Sequence, residues 1–141
     1  MKYVCDSSVP TSWYANNLHT PKALRLRGDF ISGFHELLAP DSFPADCADL
    51  LAQYERKGVV AAGRAIIDLT DPWGVGITLH PVTAILERAT VISVSSRLTV
   101  HVSLYVALAE KEQCELLTAS PKLLRAARKH FPFITALASL P

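Results

Sequence analysis

The chain has 141 residues, half of them apolar and 19% charged, with a formal net charge of +1. That composition fits one domain around one hydrophobic core and excludes a disordered or fibrous chain. The near-neutral balance also excludes a global electrostatic pull toward nucleic acid, so any such binding needs a local patch.

"KYVCD" (Lys2 to Asp6) is a short apolar run with β-forming residues that ends in an acid and then serines, the pattern of a buried strand followed by a turn or helix cap. "SSVPTSWYANN" is expected to form a short first helix. Thr20-Pro21 then opens a second, "KALRLRGDFISGF", with Thr as N-cap and Pro at the first helical position. "HELLAPD" reads as the second strand, stopped by Pro40. The amphipathic helix "DSFPADCADLLAQYERKG" follows, capped by Asp41 or Ser42 and ended by Gly58.

"AAGRAIIDLTDPW" is a shorter helix ended by Pro72, "GVGITLHP" a third strand, and Pro81 begins the helix "VTAILERATVISVSSRL", whose second half is rich in β-branched residues. A helix from about Thr99 to Gln113, the strand "CELLT" and the helix "SPKLLRAARKH" come next. "FPFITAL" supplies a short last strand. Short, nearly all-apolar strands alternating with helices predict a three-layer α/β/α sandwich with parallel central strands. No repeat, low-complexity tract or linker interrupts it, so residues 1–141 are expected to be a single domain.

Cys5, Cys47 and Cys114 are scattered, odd in number and without CxxC spacing. They argue against a disulfide framework or a zinc site and read as buried thiols of a reducing compartment. No apolar run reaches the roughly 18 residues of a membrane span. "MKYVCDSSV" has an acid where a secretory leader would still be apolar. Both points lead to the expectation of a cytoplasmic protein with no membrane contact.

Ligand sites in such sheets gather at the carboxyl ends of the strands. Asp6 ends the first strand, where its charge is costly unless paired. Two readings stand for it: a functional carboxylate, or a cap bonded to the amides near Ser8 and Val9. Asp46 and Asp49 lie three apart on one helix face, either as a solvated face or with Asp46 at the edge of the core. Val102, Tyr105, Val106 and Ala109 form a packing stripe, and His101 is a lone histidine. Lys122, Arg125, Arg128, Lys129 and His130 carry no acid between them. They suit either phosphate contacts, Lys122 and Arg125 first, or a basic helix complementing its own dipole. No GxGxxG, Walker loop, HExxH or GxSxG is present, and Gly74-Val75-Gly76 reads as a turn.

Four segments together resemble the PIN domain, and more narrowly the VapC-type toxin ribonucleases, over nearly the whole chain. "YVCDSSV" is similar to the family's first strand and its acid. "LLAPDSFPADCADLL" is similar to "ApD…aEvaNaL", "LTVHVSLYVALAE" to "LtayDAlYvALAe", and "CELLTASPKLLRAA" to "cpLvTaDrkLlraa". The resemblance implies a five-stranded parallel sheet. It also implies a cluster of acids at the strand ends that holds Mg²⁺ or Mn²⁺ for cleavage of RNA, the hard ion needing oxygen ligands and activating a water.

Carried over position by position, Asp6 matches the first acid, and Asp46 stands where the family has Glu, one methylene shorter. Asp49 falls on the family's Asn, while Val102 and Ser120 occupy two Asp positions. Even about 1.4 kcal/mol lost per missing acid weakens metal binding about tenfold each. The resemblance therefore implies a degenerate nuclease site that retains binding to RNA, a partner protein or a second copy. The alternative is an active Mg²⁺-dependent endoribonuclease, the toxin of a toxin–antitoxin pair. It would use Asp6 and Asp46, with Ser8, Asp49 or Ser120 completing the shell through waters. A third expectation is an interaction module with an antitoxin-like partner and a homodimer, its apolar surface coming from "FPFITALASLP" and Trp13-Tyr14.

Overall fold

The computed structural model describes residues 1–15, 17–69 and 76–141. Pro72, Trp73 and the turn residues Gly74 and Val75 lie outside them, and so do the expected end of one helix and the start of the third strand.

Five parallel strands form one sheet in the order β3-β2-β1-β4-β5. They are β1 (Lys2–Cys5), β2 (Glu36–Pro40), β3 (Thr78–His80), β4 (Glu115–Thr118) and β5 (Ile134–Ala136). The helices are α1 (Ser8–Thr11), α2 (Thr20–Ile31), α3 (Phe43–Arg56), α4 (Arg64–Asp68), α5 (Leu86–Ser96), α6 (Val100–Glu112) and α7 (Pro121–Ala127). Consecutive strand residues point to opposite faces, so Val4 with Cys5, Leu37 with Leu38 and Leu116 with Leu117, all buried, require cover on both faces. This is the α/β/α architecture expected from alternation alone.

β1 sits at the centre because its partners are β2 on one side and β4 on the other. Tyr3 stands opposite both Leu37 and Glu115. α6 explains the depth of the core. Residues Ser103 to Ala109 are buried without interruption, so the helix is covered all round and not along one stripe. It is started by Thr99, whose hydroxyl accepts from the Val102 amide at 3.2 Å. α3 is amphipathic as its sequence predicts, with Phe43, Cys47 and Leu51 buried at four-residue spacing. Gly58 follows its end at φ +74, the left-handed region that glycine enters freely.

Several elements differ from expectation for identifiable reasons. α1 is a single turn, because the Thr11 and Ser12 hydroxyls bond back to the Ser7 and Ser8 carbonyls while the chain turns away. Thr20 is not the cap of α2. It lies inside the helix, and its hydroxyl donates to the Ser12 and Ala15 carbonyls, tying down the preceding loop. Neither Asp41 nor Ser42 caps α3 through its side chain. Asp41 accepts from the Val82 amide at 3.0 Å instead, joining β2 to the segment after β3. The helix expected after Pro81 is broken into a 3₁₀ turn, Val82–Ala84, and α5.

The apolar surface expected at Trp13 and the C-terminal segment is core. The Trp13 indole donates to the Ala23 carbonyl at 2.9 Å, and Ile134 and Leu137 are fully buried. Exposed apolar side chains stand elsewhere, on α4 (Ile66, Ile67) and on the outer face of α5 (Leu86, Val91, Val94).

Leu117 is fully buried in a strand flanked on both sides. Leu117→Ala is expected to cost about 2–5 kcal/mol of stability, read as a fall in the urea midpoint at unchanged slope.

Candidate functional site

The carboxyl ends of β1 and β4 open into a cleft of about 280 Å³. β1 is the strand at which the sheet order reverses, the place where α/β sheets leave a crevice. Asp6, Ser8, Asp46, Asp49, Val102, Tyr105 and Ser120 all line it, with Leu50, His101 and Leu123. Residues 6, 46, 49, 102 and 120 thus meet at one cleft although they come from four separate stretches of the chain.

Asp6 enters the cleft directly off β1, fixed by its amide, which donates to the Leu117 carbonyl at 3.2 Å. Its carboxylate is held from two sides. One oxygen accepts from the Ser8 amide at 3.0 Å and from the Ser8 hydroxyl. The other accepts from the Thr118 hydroxyl. Each hydroxyl in turn accepts from a backbone amide just past β4. The Ala119 amide bonds Ser8 Oγ at 2.9 Å, and the Ser120 amide bonds Thr118 Oγ1 at 3.0 Å. Two short relays therefore run from β4's end through a hydroxyl to Asp6. Dense surroundings push the Asp6 carboxyl above its ordinary range, and these donors offset only part of that shift. The capping reading of Asp6 holds in that it bonds the Ser8 amide, but Thr118 makes it a link between β1 and β4 as well.

Asp46, on the first turn of α3, faces Tyr105 of α6, whose hydroxyl donates to it at 2.6 Å. Burial raises the Asp46 carboxyl, and the Tyr105 hydrogen bond and nearby His101 oppose the rise. Tyr105 is itself pushed far above its ordinary value, by burial first and by Asp46 next, so it stays a neutral donor. Asp49 is exposed at the rim, where it accepts from the Gln53 amide group at 3.1 Å.

Val102 and Ser120 complete the cleft without charge. Val102 contributes only methyl groups. Ser120 caps α7, its hydroxyl accepting from the Leu123 amide at 3.3 Å. Lys122 and Arg125 point to solvent on α7 and are not part of the lining. Among the described residues, no three His, Cys, Asp or Glu side chains converge on a point that could hold a metal ion.

Sequence reasoning missed two of the residues that shape this site. Thr118 looked like the last residue of an apolar strand, and Tyr105 like one member of a packing stripe. Their partners lie 112 and 59 residues away, so no local pattern could have revealed them.

No family model matches the sequence, and no curated protein is significantly similar to it. Solved structures are similar to it in fold. PAE2754 from Pyrobaculum aerophilum is 20% identical over 99% of this chain and 94% of its own, with a TM-score of 0.67. VapBC2 from Rickettsia felis, solved bound to a DNA fragment from their promoter, is 13% identical over 96% and 97%, with a TM-score of 0.60. At these identities the likeness concerns the fold, which is PIN-like: five parallel strands flanked by helices.

Two predictions come from this geometry. Thr118→Val removes a donor to Asp6 and an acceptor for the Ser120 amide at constant shape, and is expected to destabilise the fold by about 1–3 kcal/mol in thermal or urea unfolding. The second concerns pH. Asp6 and Asp46 both have folded-state pKa values above their unfolded ones. The native chain therefore binds more protons between those values, and stability falls as pH rises from the ordinary carboxyl range, about 4, through the native pKa values. Asp46→Asn should flatten part of that fall when unfolding is followed across pH, and a slope identical to that of the unaltered protein would contradict the assignment.

Proposed function

We propose that the chain is a PIN-fold protein of the VapC-like type in which metal-dependent RNA cleavage is weakened or lost and binding to nucleic acid or a protein partner is retained. The observation that carries this reading is the pair Val102 and Ser120, which line the cleft beside Asp6 and Asp46 and supply no carboxylate. A Mg²⁺ or Mn²⁺ ion asks for a near-complete shell of oxygens. Here the Asp6 carboxylate already accepts three protein hydrogen bonds, Asp46 accepts one from Tyr105, and Ser120 Oγ is spent on capping α7. The residues present do not fit a metal-dependent nuclease centre.

The same features give the cleft an alternative means of satisfying its charge. A metal cluster neutralises its acids with the ion. In this chain two hydroxyls and an amide hydrogen-bond Asp6 instead, and a phenol hydrogen-bonds Asp46. That arrangement lets the protein fold without a metal, consistent with a scaffold whose remaining role is recognition. The VapBC2 structure contains DNA and, by its name, a protein pair. By analogy we propose an antitoxin-like protein as one partner, with the exposed apolar residues of α4 and α5 available to it or to a second copy of the chain.

The test restores what is missing. Val102→Asp with Ser120→Asp adds two carboxylates to the cleft, and Asp at position 120 remains a good N-cap, so α7 keeps its start. Calorimetry with Mn²⁺ is expected to show negligible heat for the unaltered protein. For the double variant it should show binding tighter by about two orders of magnitude, about tenfold per acid. Robust Mn²⁺-dependent cleavage of RNA by the unaltered protein, abolished by Asp6→Asn, would overturn the proposal.

A further inference from the structure

The cations of α7 and the turn after it are distributed unlike any others in the molecule. Lys122, Arg125, Arg128 and Lys129 lie within residues 116–141, which contain no acid. Without those four, the remaining chain has ten basic and thirteen acidic residues, a balance of −3 against +1 for the whole. The rest of the chain uses many of its cations internally. Lys2 pairs with Glu112, Arg64 with Asp68 and Arg88 with Glu110, while Lys22 and Arg25 bond carbonyls of the C-terminal segment. Lys122, Arg125, Arg128, Lys129 and His130 make no ion pair or side-chain hydrogen bond among the described residues, and all five are exposed. β5, which packs beside α7, has no charged residue to answer them.

Their arrangement is linear. Leu123 and Ala127 turn inward, so Lys122 and Arg125 stand on the outward face, with Lys129 continuing their line just past the helix end. At about 1.5 Å of rise per residue the three span roughly 10 Å. The row starts beside the cleft, because Ser120 and Leu123 of the same turn line it. The cleft itself holds Asp6, Asp46 and Asp49 and repels a polyanion, so an anionic strand is drawn to the row and kept out of the cleft.

We propose that this row is a binding surface for the phosphate backbone of single-stranded nucleic acid, and that it works without metal and without cleavage. The inference deepens the reading of the cleft given above and rests on it. It differs in placing the strand on α7, outside the acidic cavity. A polymer carrying a charge on every unit suits a row of evenly placed cations, and Arg125 adds the planar fork that pairs with phosphate oxygens. The contacts carry no sequence information.

Fluorescence anisotropy with a short labelled uridine oligoribonucleotide, in EDTA and over a series of salt concentrations, tests this. Three phosphate contacts give a slope of log K against log salt of about −2. Lys122→Ala, Arg125→Ala and Lys129→Ala together should bring the slope close to zero, each alone reducing it by about 0.7. Alanine keeps α7 helical, which circular dichroism checks. Arg56→Ala with Lys57→Ala, removing two exposed cations on another element, should leave binding unchanged. A deoxyribose oligomer of matching sequence should bind within a few-fold of the RNA, as backbone recognition requires. The proposal is overturned if the triple variant keeps the full slope, if the Arg56 and Lys57 pair matters as much, or if polyglutamate competes as well as the oligomer, which would mark an acidic protein as the ligand. Cleavage of the oligomer on adding Mn²⁺ would instead count against the reading of the cleft, leaving the row's salt slope as it was.

Discussion

The structure turns on one carboxylate. Asp6 stands at the end of the central strand, where a parallel sheet opens and water is scarce. A charge in that position is costly unless it is fully hydrogen-bonded or paired. The chain answers with Ser8 from the turn that follows and Thr118 from the end of the neighbouring strand. Because each hydroxyl also accepts an amide past β4, the path of the chain from β4 into α7 is fixed by the same interaction that satisfies Asp6. The start of α7, the mouth of the cleft and the position of Ser120 all depend on it.

The hydroxyl solution and the metal solution to this problem are different chemistries. A divalent ion gathers several carboxylates because each contributes full charge at short range. Hydroxyl and amide donors gather around a single carboxylate and leave neighbouring positions free to be neutral. With Asp6 hydrogen-bonded by Ser8 and Thr118, and Asp46 by Tyr105, the neutral Val102 leaves neither acid without a partner. Tyr105 extends the same logic across the cleft, joining α6 to α3 through a buried phenol that stays protonated because burial and Asp46 both oppose its ionisation.

The framework was legible in the sequence to the extent that it depends on local pattern. β1, β2 and β4 are short, mostly apolar runs that each open on a charged residue, and α3 shows its four-residue spacing openly. The convergence of Asp6, Asp46, Val102 and Ser120 was legible through the order of motifs along the chain, and the cleft brings those residues together. What stayed hidden depends on partners distant in sequence. Trp13 looked like interface and is core, its side chain buried and its indole N–H donating to the Ala23 carbonyl. Thr20 looked like a cap, but its hydroxyl is claimed by two carbonyls of the preceding loop. α6 looked packed along one stripe because only its inward residues were counted, whereas its surroundings, α5 and the sheet above all, bury every residue from Ser103 to Ala109.

Packing and charge are set by largely different residues in this fold. The sheet and α6 are set by fully buried side chains such as Val4, Leu108 and Leu117, none of which touches the cleft. The side chains that define the architecture are therefore largely distinct from those that line the cleft, and the fold is shared with solved structures at 20% and 13% identity. Electrostatics acts at longer range than packing and is freer to drift. The acid-free stretch of residues 116–141 concentrates positive potential on the outer face of α7. The exposed cations of α7 and the acids of the cleft are thus separate residues on neighbouring elements, so a substitution in one set leaves the other in place.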